Sequence, residues 1–292
     1  MRYDISLRVE YDYDTASDHA RTLLHLLPRH IPGRQEVIAS LLSIDPPPPE
    51  RSDGSDFFGN AASWIAFHDP IENISLSLKA QIGQIAAPPQ MDISPRLDRL
   101  ADEIAGQHSL MPDAPHHYLG PSPRVALSPA ITDFARGHAA PGASTLQAVL
   151  AIGGALHAEM EFDAEATDVA TAPEAAFAQR SGVCQDFSHI LIAALRGLGI
   201  PAGYVSGFLR TTPPPGQPRL EGADAMHAWV RAWCGARMGW VEFDPTNDTI
   251  AGDGHIVCAY GRDYADVSPV RGTLRSSGGH ETQHFVDVVP VP

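Results

Sequence analysis

Arg180-Ser181-Gly182-Val183-Cys184-Gln185-Asp186-Phe187 is the stretch from which the fold of this 292-residue chain is read. Beyond it, Ile190, Leu191, Ala194, Leu195 and Leu198 recur at three- and four-residue intervals, which predicts a helix from about Asp186 to Leu198 with one apolar face. Gly199 and Pro201 end it, because glycine accepts a left-handed cap and proline cannot extend the ladder. Cys184 therefore stands where a loop enters a helix. Unpaired N–H groups at a helix start favour a thiolate and can hold a developing oxyanion.

Two further segments complete a chemical set. His227, Trp229, Arg231 and Trp233 fall on alternate positions, as in a strand, and Asp244 closes a second short strand, Gly239 to Pro245, that Pro245 interrupts. Adjacent strands would present His227 and Asp244 side by side. A thiol, an imidazole to move its proton and a carboxylate to fix the imidazole tautomer are the parts of a nucleophilic acyl-transfer site.

Gly182-Val183-Cys184-Gln185-Asp186-Phe187, His227-Ala228-Trp229 and Asp244-Pro245-Thr246-Asn247, in this order, resemble the transglutaminase-like superfamily. The opening Met1 to Tyr11 and the tail from Gly261 onward are similar to the bacterial branch that carries its own N-terminal domain and includes cysteine proteases. The resemblance implies an α+β chain in which a β-rich, sandwich-like N-terminal domain over residues 1–88 precedes a papain-like, transglutaminase-like catalytic core over residues 89–292. It also implies Cys184 as nucleophile on a helix N-terminus, with His227 as base and acid and Asp244 as orienting group on antiparallel strands. Some superfamily members complete the oxyanion hole with an upstream indole or amide side chain. The Ala-rich stretch before Cys184 offers no counterpart, which leaves the second oxyanion donor unassigned.

Composition bounds the remaining classes. A hydrophobic content of 43% supports one large core or two medium ones, and two fit this sequence better. The formal net charge of −15, with no basic patch to offset it, argues against nucleic acid and anionic membrane as partners. Three widely spaced cysteines, Cys184, Cys234 and Cys258, form no disulfide framework and point to a reducing, cytoplasmic location. Arg2, Asp4, Arg8 and Glu10 interrupt any apolar leader, and no 18-residue apolar run exists to span a membrane. Oligomeric state is not legible.

Along the chain, Ile5, Leu7, Val9 and Tyr11 alternate with polar residues as in a half-buried strand. Strands are expected at Glu36–Ile44, Ala62–Phe67, Glu72–Ala80, Ala202–Leu209 and Phe285–Val291, and Ala87-Pro88-Pro89 ends the first domain. Helices are expected at Arg96–Gly106, Pro129–Gly137, Thr145–Met160 and Pro173–Arg180. Thr211 to Gly222, with three consecutive prolines, is expected as an exposed loop.

His280-Glu281-Thr282-Gln283-His284 matches the H-E-x-x-H pattern of zinc peptidases, which needs a helix to bring both imidazoles to one ion. Ser276-Ser277-Gly278-Gly279 before it and the alternating Phe285–Val289 after it predict a strand instead, so no metal or other cofactor is expected. His116-His117 reads as a pair of solvated loop histidines, Cys234 and Cys258 as structural thiols, and Trp229 as packing beside His227. The expected function is cysteine-dependent acyl transfer on a peptide or protein amide, with hydrolysis by water as the default. The alternatives are glutamine transamidation by the same triad and a binding scaffold without turnover.

Overall fold

The computed structural model describes residues 1–85, 91–211, 224–275 and 278–291. The expected end of the first domain at 87–89 and nearly all of the loop expected over 211–222 lie outside the described residues. The opening alternation does form a strand, and it continues well past Tyr11: β1 spans Arg2–Leu24. Around it run β2 (Gln35–Asp45), β3 (Glu50–Ser55), β4 (Ala61–Ala66) and β5 (Ile71–Gln84). These strands are joined antiparallel in the order β2-β5-β1-β4-β3. Residues 2–12 of β1 pair with β5, then the register shifts between Asp12 and Ser17, and residues 21–24 pair with β4. The two halves of the sheet thus share one strand.

Helices α1 (Leu100–Ala105), α2 (Pro129–His138) and α3 (Thr145–Glu159) follow, the last closed at its start by a reciprocal Ser144–Gln147 capping box. A short strand β6 (Glu161–Phe162), helix α4 (Pro173–Gln179) and strand β7 (Ser181–Gly182, parallel to β6) lead into α5, Cys184–Gly197. Helix α5 begins two residues before the expected start, so Cys184 is inside its first turn. It is also buried all round, from Gln185 to Arg196, rather than on one face. Its polar residues mask this in the sequence. Arg196 is accommodated because its guanidinium donates to the carbonyls of Gly120, Ala202 and Arg262 and to Ser122 Oγ. Gly153 lets α3 approach the second sheet, since a Cβ there would meet Phe243 Cε1 at 2.2 Å.

That sheet comprises β8 (Ala202–Leu209), β9 (Ala225–Trp233), β10 (Trp240–Asp244), β11 (Thr249–Ile250) and β12 (His255–Gly261), in the order β11-β10-β9-β8-β12. Ala228, Val230 and Ala232 of β9 join the core beneath α5. The short helix α6 (Tyr264–Val267) then returns the chain to the first sheet, where β13 (Val270–Arg275) and β14 (His280–Val291) pair with β1. The assignment of everything after residue 89 to the catalytic core is therefore corrected for this tail. The last strands complete the N-terminal sheet, because Val286 and Val288 share its core with Ile5 and Leu7.

The two sheets are joined by side-chain amides. Strand β12 is an edge strand, and Gln35 occupies the place of a neighbour: its Oε1 accepts from Val257 N–H at 2.8 Å and its Nε2 donates to Val257 O at 2.7 Å. Asn60 treats Tyr260 in the same way, with both bonds at 2.8 Å. Buried edge groups thereby find partners without a further strand. Among the described residues no helix is long and apolar enough to cross a membrane.

Candidate active site

Residues 181–186 fold as they do because Asp186 turns back over the helix start. Its Oδ2 accepts from Val183 N–H at 2.8 Å and from Thr167 Oγ1 at 2.6 Å. The turn leaves no room for a side chain at Gly182, where a Cβ would lie 2.6 Å from Asp186 Oδ2. The G-x-C-x-D spacing thus has a steric cause. Asp186 and Phe187 N–H both donate to Val183 O, which leaves the N–H groups of Cys184 and Gln185 as the unengaged donors of the first turn among the described residues.

Half-buried Cys184 lies within hydrogen-bonding reach of His227 on β9. His227 Nε2 meets Asp244 Oδ2 at 2.8 Å, so the nitrogen left for Cys184 is Nδ1. All three residues singled out from the sequence come together here. Burial disfavours the imidazolium, but it is outweighed by the hydrogen bond to Asp244 and by the hydrogen bond and charge of Cys184, and the pKa of His227 is raised to about 10. Burial likewise opposes the charge on Asp244, yet hydrogen bonds from His227, His255 and Asn247 hold its carboxyl well below the usual carboxylate range.

Two further partners hold Asp244: Asn247, which the sequence reading quotes in its motif without a role, and His255, which it does not single out. Asn247 Nδ2 donates to Oδ2 at 2.7 Å, and His255 Nε2 reaches the same oxygen at 3.0 Å. Gly252 N–H points at His255 Nδ1 at 3.2 Å, so Nδ1 accepts and Nε2 carries the proton donated to Asp244. Nothing in the local sequence of β12 marks His255, since the strand lacks a two-residue alternation and is read only from the fold. Thr246 and Asn247 N–H bond Oδ1 at 3.0 and 3.3 Å, which gives the D-P-T-N segment its role as a loop folded onto its own carboxylate.

Trp229 packs against both imidazoles, stacked on His227 at 6.1 Å and edge-on to His255 at 5.2 Å. Its Nε1 donates to Glu242 Oε2 at 2.7 Å. Glu242 in turn accepts from Tyr260 and forms a two-pronged ion pair with Arg34 of the N-terminal domain. The indole is thus a positioned wall, and its position depends on the first domain.

His227, Asp244 and His255 form a group whose donor atoms are close enough to hold a metal ion. The tautomer of His255 argues for protons instead: a metal at Nε2 would require the lone pair that the Gly252 bond places on Nδ1. The H-E-x-x-H pattern falls within β14. Four residues of strand separate His280 and His284 by about 13 Å, too far to share an ion. His116 and His117 occupy a short 3-10 turn, with His117 edge-on to Phe57 at 5.5 Å, rather than an open loop. Cys234 and Cys258 are buried, and burial pushes their thiols up, to about 12 for Cys234.

Residues 132–245 match the model of the transglutaminase-like superfamily, and residues 3–82 match that of the bacterial transglutaminase-like N-terminal region. An uncharacterized protein of Mycobacterium tuberculosis is 33% identical over 298 residues, which cover 99% of this chain and 93% of the relative. The chain belongs to the transglutaminase-like superfamily. A second uncharacterized protein, from Mycobacterium leprae, is 39% identical over 113 residues, 38% of each chain. Among solved structures, a candidate cysteine protease of Cytophaga hutchinsonii matches with a TM-score of 0.73 at 22% identity, over 99% of this chain and 90% of that one. That likeness extends the superfamily fold, N-terminal sheet included, over the whole molecule.

Proposed function

We propose that the protein is a cysteine-dependent amide hydrolase acting on peptides. The observation that carries this is that His227, bonded to Asp244 through Nε2, lines one cleft with Cys184, which leaves Nδ1 to serve the thiol. His227 takes the proton of Cys184, and the resulting imidazolium is held by Asp244. The thiolate attacks the substrate carbonyl, and a bond from sulfur to carbon forms as the carbonyl π pair moves to oxygen. That oxyanion faces the N–H groups of Cys184 and Gln185, where the helix start adds its partial positive charge. On collapse the carbon–nitrogen bond breaks and His227 gives its proton to the departing amine. Water, deprotonated by the same imidazole, then attacks the thioester and frees Cys184.

Hydrolysis is favoured over amine transfer because water is always at hand at the acyl-enzyme. The test is turnover of a peptide and amide library by the wild type and by Cys184→Ala. Release of amine by the wild type alone is expected. Equal release by Cys184→Ala would remove Cys184 from the reaction.

A further inference from the structure

The inner face of the N-terminal sheet changes character along its length. Ile5 and Leu7 of β1, Leu78 and Ile82 of β5, and Val286 and Val288 of β14 are core. Further along the same strands, and on the same face by the two-residue repeat, come Val9, Tyr11 and Tyr13, then Leu76 and Ile74, then His284, Thr282 and His280. Of these, Val9, Leu76 and Ile74 are still buried, whereas Tyr11 and Tyr13 are half-buried. All these positions line a cleft of about 600 Å³ whose opposite wall contains Cys184, His227, Tyr204 and Met226.

We infer that Val9, Tyr11, Ile74 and Leu76 of the N-terminal sheet bind the side chain on the acyl side of the scissile amide, and that this side chain is uncharged and apolar or aromatic. The inference rests on the proposed hydrolase reading and names its substrate class. Three observations carry it. The cleft contains the candidate nucleophile itself, so its occupant is within reach of Cys184. Its described lining includes no Asp, Glu, Lys or Arg, and His227 is already paired with Asp244, so a charged side chain would be desolvated without a free counter-charge. Its apolar wall is the continuation of a sheet core, in which Val9, Leu76 and Ile74 stay buried and Tyr11 is half-buried, fixed by strand pairing on both sides of β1.

The row from β14 gives the cleft polarity along one side. His280, Thr282 and His284 repeat at the spacing of an extended chain, and His280 rests near the rings of Tyr11 and Tyr13 at 6.0 and 6.1 Å. Burial lowers the basicity of His284, which suits a neutral donor to peptide carbonyls rather than a cation seeking a carboxylate. The apparent zinc motif thus contributes two substrate-facing imidazoles on a strand.

The experiment uses tripeptidyl chloromethyl ketones that differ only in the terminal side chain: Phe, Leu, Gln, Asp or Lys. The Cys184 sulfur displaces chloride from the methylene carbon, and labelling is followed by mass spectrometry of the intact protein and its Cys184 peptide. Each rate is divided by that of iodoacetamide on the same protein, which separates thiolate reactivity from side-chain recognition. Phe and Leu probes are expected to label at least tenfold faster than Asp and Lys probes. In Tyr11→Asp the Lys probe should gain at least threefold on the Phe probe, and in Tyr11→Ala the Phe preference should shrink, with thermal unfolding showing that both variants fold. Equal normalised rates across the set, or a fastest rate with Gln, Asp or Lys, would overturn the inference even where iodoacetamide reacts rapidly. Slow iodoacetamide reaction with a preserved Phe preference would instead count against the hydrolase reading and leave the apolar pocket standing.

Discussion

His227 and His255 converge on a single atom, Oδ2 of Asp244, at 2.8 and 3.0 Å. One imidazole faces the thiol, while the other is held as an Nε2–H donor by the backbone of Gly252. In the proposed mechanism His255 would be a positioning residue that acts through the carboxylate.

Replacement of His255 should separate that role from simple packing. His255→Gln can return an N–H to Asp244, whereas His255→Leu fills the space without one. The Leu variant is expected to lose about tenfold or more in the rate of Cys184 alkylation at pH 7, with the Gln variant between it and wild type. A Leu variant as reactive as the Gln variant would reduce His255 to a core residue.

Asp244→Asn bears on both turnover and folding. The sequence alone leads to the expectation of a loss on the order of a hundredfold or more in rate with little effect on folding, because the amide has nearly the same size and presents an N–H to the wrong tautomer. The structure revises the second half. Oδ2 accepts from His227, His255 and Asn247 together, so an amide NH2 there would face donors. Destabilisation of about 1–3 kcal/mol is expected alongside the rate loss, read by urea unfolding. Turnover within a few-fold of wild type would remove Asp244 as the orienting group. Asp224 and Asp263, two other carboxylates of the chain, are instead engaged by Thr211 and Val288 and by Arg124 and Ala265 respectively.

Stability should depend on pH through His227. Its folded pKa, about 10, lies above the ordinary value of about 6.5, so its contribution is fully present below about 6.5 and is lost as pH rises through about 10. The difference in melting temperature between wild type and His227→Ala should narrow across that window. At the acid end Asp244 contributes above about 3.9 and loses its contribution as pH falls through its depressed folded value. A wild-type advantage that grows between pH 7 and 10 would contradict the assignment.

The convergence of the three candidate residues was legible because each sits in a local motif whose spacing has a physical cause, as the contact between Gly182 and Asp186 illustrates. Most strands and helices followed from periodicity, β8 at its observed bounds. What remained hidden was long-range. Strand β12 carries buried residues on both faces, which removes the two-residue alternation, and it is covered by amides from some two hundred residues away. The tail β14 could be read as a strand from Phe285, but its return to β1 is a property of topology rather than of local pattern.

The amide seam gives a prediction about stability alone. Gln35→Ala removes the acceptor of Val257 N–H, while Arg29 N–H, at 2.9 Å, still serves Val257 O. A loss of about 1–3 kcal/mol is expected for the buried donor left unpaired, measured by urea unfolding. An unchanged midpoint and slope would show that the edge of β12 does not depend on this side chain.

The central claim is that His227 activates Cys184, and alkylation by iodoacetamide at pH 7, mapped cysteine by cysteine, tests it most directly. Cys184 should react rapidly while buried Cys234 and Cys258 remain nearly untouched, and His227→Ala should slow Cys184 by about tenfold or more. Three thiols of equal sluggishness, or a Cys184 rate that His227→Ala leaves unaltered, would contradict it.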